Sequence, residues 1–291
     1  MVRLQFSINL DYEVSDRASD FIFNLHAART RCQSVVMEDL QISPPLDCDY
    51  VTDSVLGNRY MRLRAQPGPL SVRYAATVDI DHYFCEPGVL GEAPIAQLPM
   101  AVLPYIYPSR YCQSDRLRKL AVREFGQLWQ GYSRAKAIED WVRARTTFTP
   151  GSSNSSTSAL DTIIEQTGVC RDFAHLMIAL CRAVNIPARF VTGIDYGADP
   201  ALGPTDFQAY VEVYVGDRWY LFDPSGTAIP MGFIRIGTGR DAADVSYATV
   251  FGSVKSEPLV IAIQAVNDAE GGFTLPVHRS DAISTAGEFL S

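Results

Sequence analysis

Gly168-Val169-Cys170-Arg171-Asp172-Phe173 opens an apolar run that continues to Val184. Within it Phe173, Met177, Leu180, Cys181 and Val184 recur at i, i+4, i+7, i+8 and i+11, the spacing of one helix face. Asn185 suits a C-terminal cap and Pro187 forbids continuation. The spacing therefore predicts a helix that begins at Cys170. A helix N-terminus carries unpaired N–H groups and partial positive charge, which favour a thiolate and lower a cysteine pKa below its free value of about 8.5. A cysteine placed there, after a glycine, is expected to be a nucleophile, and the rest of the chain is read for its partners.

Downstream, Ala188–Thr192 reads as a strand and 193–205 as a Gly/Pro-rich loop. A hairpin follows: Phe207–Val215, a turn at Gly216-Asp217, and Arg218–Phe222. Glycine first in a two-residue turn fits type II′. If Val215 faces Arg218, then Gln208 faces Ser225 and Tyr210 faces Asp223. Gln208 and Asp223 become diagonal neighbours on one face, about 7–8 Å apart and within side-chain reach. Phe207, Ala209, Val211, Val213 and Val215 make the other face apolar.

Upstream, residues 2–14 alternate, with Leu4, Phe6, Ile8 and Leu10 set against Arg3, Gln5, Ser7 and Asn9. Further short strands are expected at 21–25, 32–37, 59–64 and 70–80, separated by Pro/Gly/Asn turn formers, and residues 1–85 read as a β-sandwich. Residues 86–113 form a linking segment rich in Pro and Gly. The period then becomes helical around Leu117–Phe125 and Ala135–Val142, with Ser114 and Asp115 as N-cap candidates. A serine-rich surface loop at 151–158 precedes a short helix over Ala159–Gln166. The core is placed at 114–265. Residues 266–291 are an extension, polar and small, with 280–291 expected to be poorly ordered.

The net charge of −8 argues against nucleic-acid and anionic-membrane partners, since both need a basic face. The N-terminus has no apolar leader, which leads to an expected cytoplasmic location. None of the six cysteines forms a CxxC pair, so they are expected to be reduced thiols with no structural zinc, and no metal or organic cofactor is implied. There are only four histidines: His26, His82, His175 and His278. His175 lies five positions beyond Cys170, roughly 140° around the helix axis, which gives it a structural role.

A cysteine at a helix start, then a polar residue on one strand and Asp on the next, is the layout of a thiol triad. Here the chain resembles the transglutaminase-like superfamily, in particular its bacterial cysteine-protease branch. The matching residues are Thr157-Ser158-Ala159, Gly168 to Leu176, Ala179 to Ala183, Ile186 to Val191, Gly193, Asp206 to Val213, Trp219, Phe222-Asp223-Pro224 and Ile236 to Asp244. The resemblance implies an α+β fold, a papain-like core with the cysteine helix packed on an antiparallel sheet, preceded by the β domain. It assigns Cys170 as nucleophile and Asp223 as orienting acid, acting on peptide or protein amides. The family's general-base histidine falls at Gln208, and a carboxamide does not titrate near neutral pH. Two readings follow: a cysteine protease or acyltransferase whose triad is degenerate and whose activity is weak or lost, or an inactive pseudoenzyme that binds a peptide or protein.

Overall fold

The computed structural model describes residues 1–286. Its N-terminal strands are β1 (Val2–Val14), β2 (Ser19–Phe23), β3 (Gln33–Ser43), β4 (Cys48–Thr52), β5 (Arg59–Ala65), β6 (Gly68–Ile80) and β7 (Tyr83–Cys85). Next come helices α1 (Ser114–Phe125) and α2 (Tyr132–Arg145), strand β8 (Thr147–Phe148), α3 (Ala159–Glu165), β9 (Thr167–Gly168) and α4 (Cys170–Ala183). The remainder is strands: β10 (Ala188–Asp195), β11 (Phe207–Val215), β12 (Arg218–Phe222), β13 (Phe233–Gly239), β14 (Ala248–Phe251), β15 (Val254–Ser256), β16 (Val260–Val266) and β17 (Ala282–Ser284).

Alternation in β1 does what it predicts. Val2, Leu4, Phe6, Ile8, Leu10, Tyr12 and Val14 are all buried. They face Phe21, Phe23, Met61 and Leu63 of a second sheet, with Tyr12 and Phe21 ring centroids 5.4 Å apart. One sheet is ordered β3–β6–β1, with β15 and β16 sharing the far edge of β1; the other is β14–β2–β5–β4. The strands β14 to β16 therefore come from the stretch that the sequence assigns to the core. They pair with β2 and β1 because a sandwich left with those edges open would expose ladder N–H and C=O groups. The extension also departs from expectation. β17 pairs with β7, and 282–286 are buried, since Ala282 and Ile283 supply apolar side chains to a ladder that needs a partner. The rest of the expected disordered end, 287–291, lies outside the described residues.

The core sheet is ordered β12–β11–β10–β13, all antiparallel. Its register runs from Val215↔Arg218 to Val211↔Phe222, the pairing that the hairpin spacing predicts. Gly216 has φ 63°, as the first central residue of a type II′ turn requires. On one face lies α4. Asp172 to Ala183 are all buried, so the helix is covered on every side rather than along one stripe. α1, α2 and α3 cover what the sheet does not. Asn185 caps it at φ 63°, with Ile186 N–H donating to Cys181 O at 2.9 Å. The start of α1 differs from expectation: the N-cap is Gln113, and Ser114 is a buried first-turn residue.

The other face of the core sheet packs on the sandwich. Val191, Ile194, Tyr210 and Phe233 join the sandwich core, and a buried ion cluster lies beside them. Glu212 accepts from Arg189 Nε at 2.7 Å and from both Arg235 Nη atoms. Gln33 exchanges side-chain bonds with the Arg235 backbone, at 2.8 Å each way, which ties β3 to β13. Gly193, at a bulge in β10, is where the sheet is tightest. A Cβ there would sit 1.9 Å from Ile234 O and 2.6 Å from the Phe233 ring. Gly193→Ala is expected to cost about 1–3 kcal/mol through overpacking. Urea denaturation checks this, and an unchanged midpoint would contradict the close approach.

Candidate active site

Cys170 is the first residue of α4, and the chain before it explains how it is held. Gly168 pairs with Phe148 across the two-residue β8–β9 ladder. A Cβ on Gly168 would come 2.7 Å from the Asp172 Cβ, so glycine lets Asp172 fold back over the helix start. Asp172 Oδ2 then accepts from the Val169 N–H at 2.8 Å, satisfying a donor the helix start leaves open. Ser153 Oγ donates to Asp172 Oδ1 at 2.9 Å, and Arg171 donates to Ser153 Oγ at 2.7 Å and to Asn154 O. The serine-rich loop is thereby pinned beside the cysteine.

Cys170 opens onto a cavity of about 520 Å3. Gln208, Arg171, Asp206, Phe207 and Tyr247 share its wall, and Phe207 and Tyr247 are stacked at 4.5 Å. The thiol points at the Phe207 carbonyl, 3.8 Å from sulfur to oxygen. Here the expectation of a lowered pKa fails. Removal of water from the sulfur pushes the thiol up to about 12, with Asp206 and Asp223 adding to the rise, against a backbone bond from Ala209 and the charge of Arg171. Burial is the largest influence on the sulfur, and it opposes the helix end.

No histidine stands among the described residues lining this cavity. His26 is buried against Tyr74, and His82 stacks on Phe84; burial lowers both to about 4. His175 is fully buried, stacked on Tyr111 at 4.9 Å, and its Nε2 accepts from the Ala242 N–H at 3.2 Å. It fastens α4 to the Gly239–Asp244 turn. Asp241 completes that fastening by accepting from the Tyr111 N–H at 3.0 Å.

Asp223 follows directly on β12 and does not line the cavity. Its Oδ1 accepts from Ser225 N, Ser225 Oγ and Gly226 N at 3.1, 2.6 and 3.0 Å, and its Oδ2 from Ala228 N at 3.3 Å. Burial pushes its pKa up, and these donors work against the rise. Among the described residues no hydrogen bond joins Asp223 to Gln208. So Cys170 and Gln208 line one cavity, while Asp223 is not part of its lining and accepts from the Ser225–Ala228 turn. Sequence reading misses Asp195, which is fully buried and accepts from Tyr210 Oη at 2.9 Å. Burial and then the Asp223 charge raise its pKa well above the usual value of a carboxyl. The signal that could have found it is an acid closing an apolar strand, Ala188–Asp195.

A cysteine opening a buried helix, set against an antiparallel sheet and facing a cavity, defines the papain-like thiol architecture. Residues 119–224 match the transglutaminase-like superfamily and residues 2–101 the bacterial transglutaminase N-terminal domain. The crystal structure of a candidate cysteine protease from Cytophaga hutchinsonii is 37% identical and covers 97% of both chains, with a TM-score of 0.89. The chain belongs to the transglutaminase-like superfamily. Uncharacterized proteins of Mycobacterium leprae (33% identical over 115 residues) and Mycobacterium tuberculosis (32% over 110) are also similar. Those matches cover 41% and 35% of the relatives and 38% and 34% of this chain.

Proposed function

We propose that the Cys170 cavity binds a peptide or protein amide and that hydrolysis or acyl transfer there is weak or lost. The observation that carries this reading is that Cys170 and the Gln208 carboxamide line one cavity with no imidazole among its described lining residues. Acyl transfer needs the thiol proton removed as the S–C bond forms, and a proton delivered to the amine as the C–N bond breaks. Gln208 does neither, although its amide can hydrogen-bond a ligand carbonyl or N–H. Asp223 Oδ1 accepts from the Ser225–Gly226 turn, and Gln208 offers its Oδ2 no imidazole to orient. The scaffold and cleft are those of a cysteine protease, and the proton path is missing.

The test is iodoacetamide alkylation of Cys170 against pH, read by peptide mass spectrometry so that the six cysteines are separated. The rate is expected to keep rising beyond the free-thiol value of about 8.5. A plateau below about pH 7, the mark of an activated thiolate, would overturn the reading. So would peptide hydrolysis by the parent protein that Cys170→Ala abolishes.

A further inference from the structure

The solvent face of α1 is basic. Arg116, Arg118, Lys119 and Arg123 are exposed, whereas Leu117, Ala121 and Phe125 are buried. At helical spacing the four cations share one exposed arc with Val122 and a single acid, Asp115. Among the described residues no carboxylate pairs with Arg116, Arg118 or Lys119. Just past the helix, Leu128 is exposed and Trp129 is 85% exposed. Beside α1 lies a recess of about 230 Å3, lined by Leu120, Arg123, Ile163 and Arg145. Arg145 stacks on Trp141 at 4.2 Å. The recess also holds Glu124, which Arg123 and Trp141 Nε1 engage at 2.9 and 3.4 Å, and Thr146, whose buried hydroxyl has no partner.

We infer that this face docks the protein on an anionic lipid surface. Its cations meet headgroup phosphates and carboxylates, and Trp129 and Leu128 enter the interfacial layer. The chain-wide charge of −8 implies no membrane partner only if charge is spread evenly. Fields fade within about 8–10 Å at physiological salt, so the local face decides. An indole and a leucine exposed just past a helix that carries four cations favour lipid over an acidic protein, because a bilayer accepts both kinds of group. No helix among the described residues is long and apolar enough to cross a membrane. The inference is independent of the Cys170 cavity.

The test is co-sedimentation of the full chain with vesicles of phosphatidylcholine alone or with roughly 30% phosphatidylserine. Binding is expected only to the anionic vesicles, and it should fall steeply from about 0.1 to 1 M salt. At about tenfold per 1.4 kcal/mol and about 1 kcal/mol per cation, Arg118→Glu with Lys119→Glu should weaken it by roughly 30-fold or more. Trp129→Ala should weaken it without changing the salt dependence. Equal binding to both vesicles, salt-independent binding, or full binding by the charge-reversed variant would overturn the inference. So would binding to poly-glutamate in preference to anionic vesicles. The salt series on the parent keeps the test decisive if a variant does not fold.

Discussion

Replacing Gln208 with histidine is expected to create Cys170-dependent peptide hydrolysis, faster than the parent by on the order of 10²–10⁴. Gln208 and Cys170 already line one cavity, which an imidazole at position 208 would share with the sulfur. It would take the thiol proton, and the imidazolium would then hold the thiolate against the burial that now raises the pKa to about 12. Its second nitrogen needs an acceptor. Asp223 Oδ1 has three donors, but Oδ2 has only the 3.3 Å bond from Ala228 N, which leaves a lone pair for the ring. A panel of fluorogenic peptides, run with the parent and with the Gln208→His Cys170→Ala double variant, measures the gain. If Gln208→His gains nothing and its alkylation profile stays that of the parent, position 208 is not where a base could act.

Glu212→Ala is expected to destabilise the fold by about 3–5 kcal/mol, the range for removing one partner from a buried ion cluster. Glu212 is fully buried and Arg235 nearly so. Without the carboxylate, Arg235 keeps only the Thr238 and Thr285 hydroxyls at 2.8 and 3.2 Å. Arg189 keeps its stacking on Trp219 at 4.1 Å. Equilibrium urea denaturation gives the loss, and a cost below about 1 kcal/mol would place the cluster with surface pairs instead. The pH dependence has a defined sign. Burial alone would raise the Glu212 pKa, but Arg189 and Arg235 outweigh it and hold it lowered. Its contribution is therefore fully present above the unfolded value of about 4.3 and is lost as pH falls below that value. Glu212→Ala should flatten that acid limb. Because β11 carries both Glu212 and Gln208, the same variant is expected to loosen the cavity wall.

Much of this was legible because local rules and tertiary packing agree. The period of two in residues 2–14 became β1, Gly216-Asp217 fixed the β11–β12 register, and Asn185 ended α4 where a left-handed cap belongs. Cys170 at a helix start and Gln208 on the facing strand were readable from spacing alone, since both depend on short-range geometry. Partnerships between distant segments were not. The closure of the sandwich by β14 to β16 and of β7 by β17 depends on which open edges the fold brings near, and no local pattern records that.

The electrostatics divide in the same way. Sequence by itself determined which groups can titrate: it puts a thiol at 170, a carboxamide at 208 and a carboxylate at 223. Only the tertiary structure decided the state of those groups. Burial raises the Cys170 thiol and the Asp195 carboxyl, and the Ser225–Ala228 turn supplies hydrogen-bond donors to Asp223. The physical reason is that a residue's identity fixes its chemistry, whereas its pKa depends on how much water and which charges the rest of the chain leaves around it.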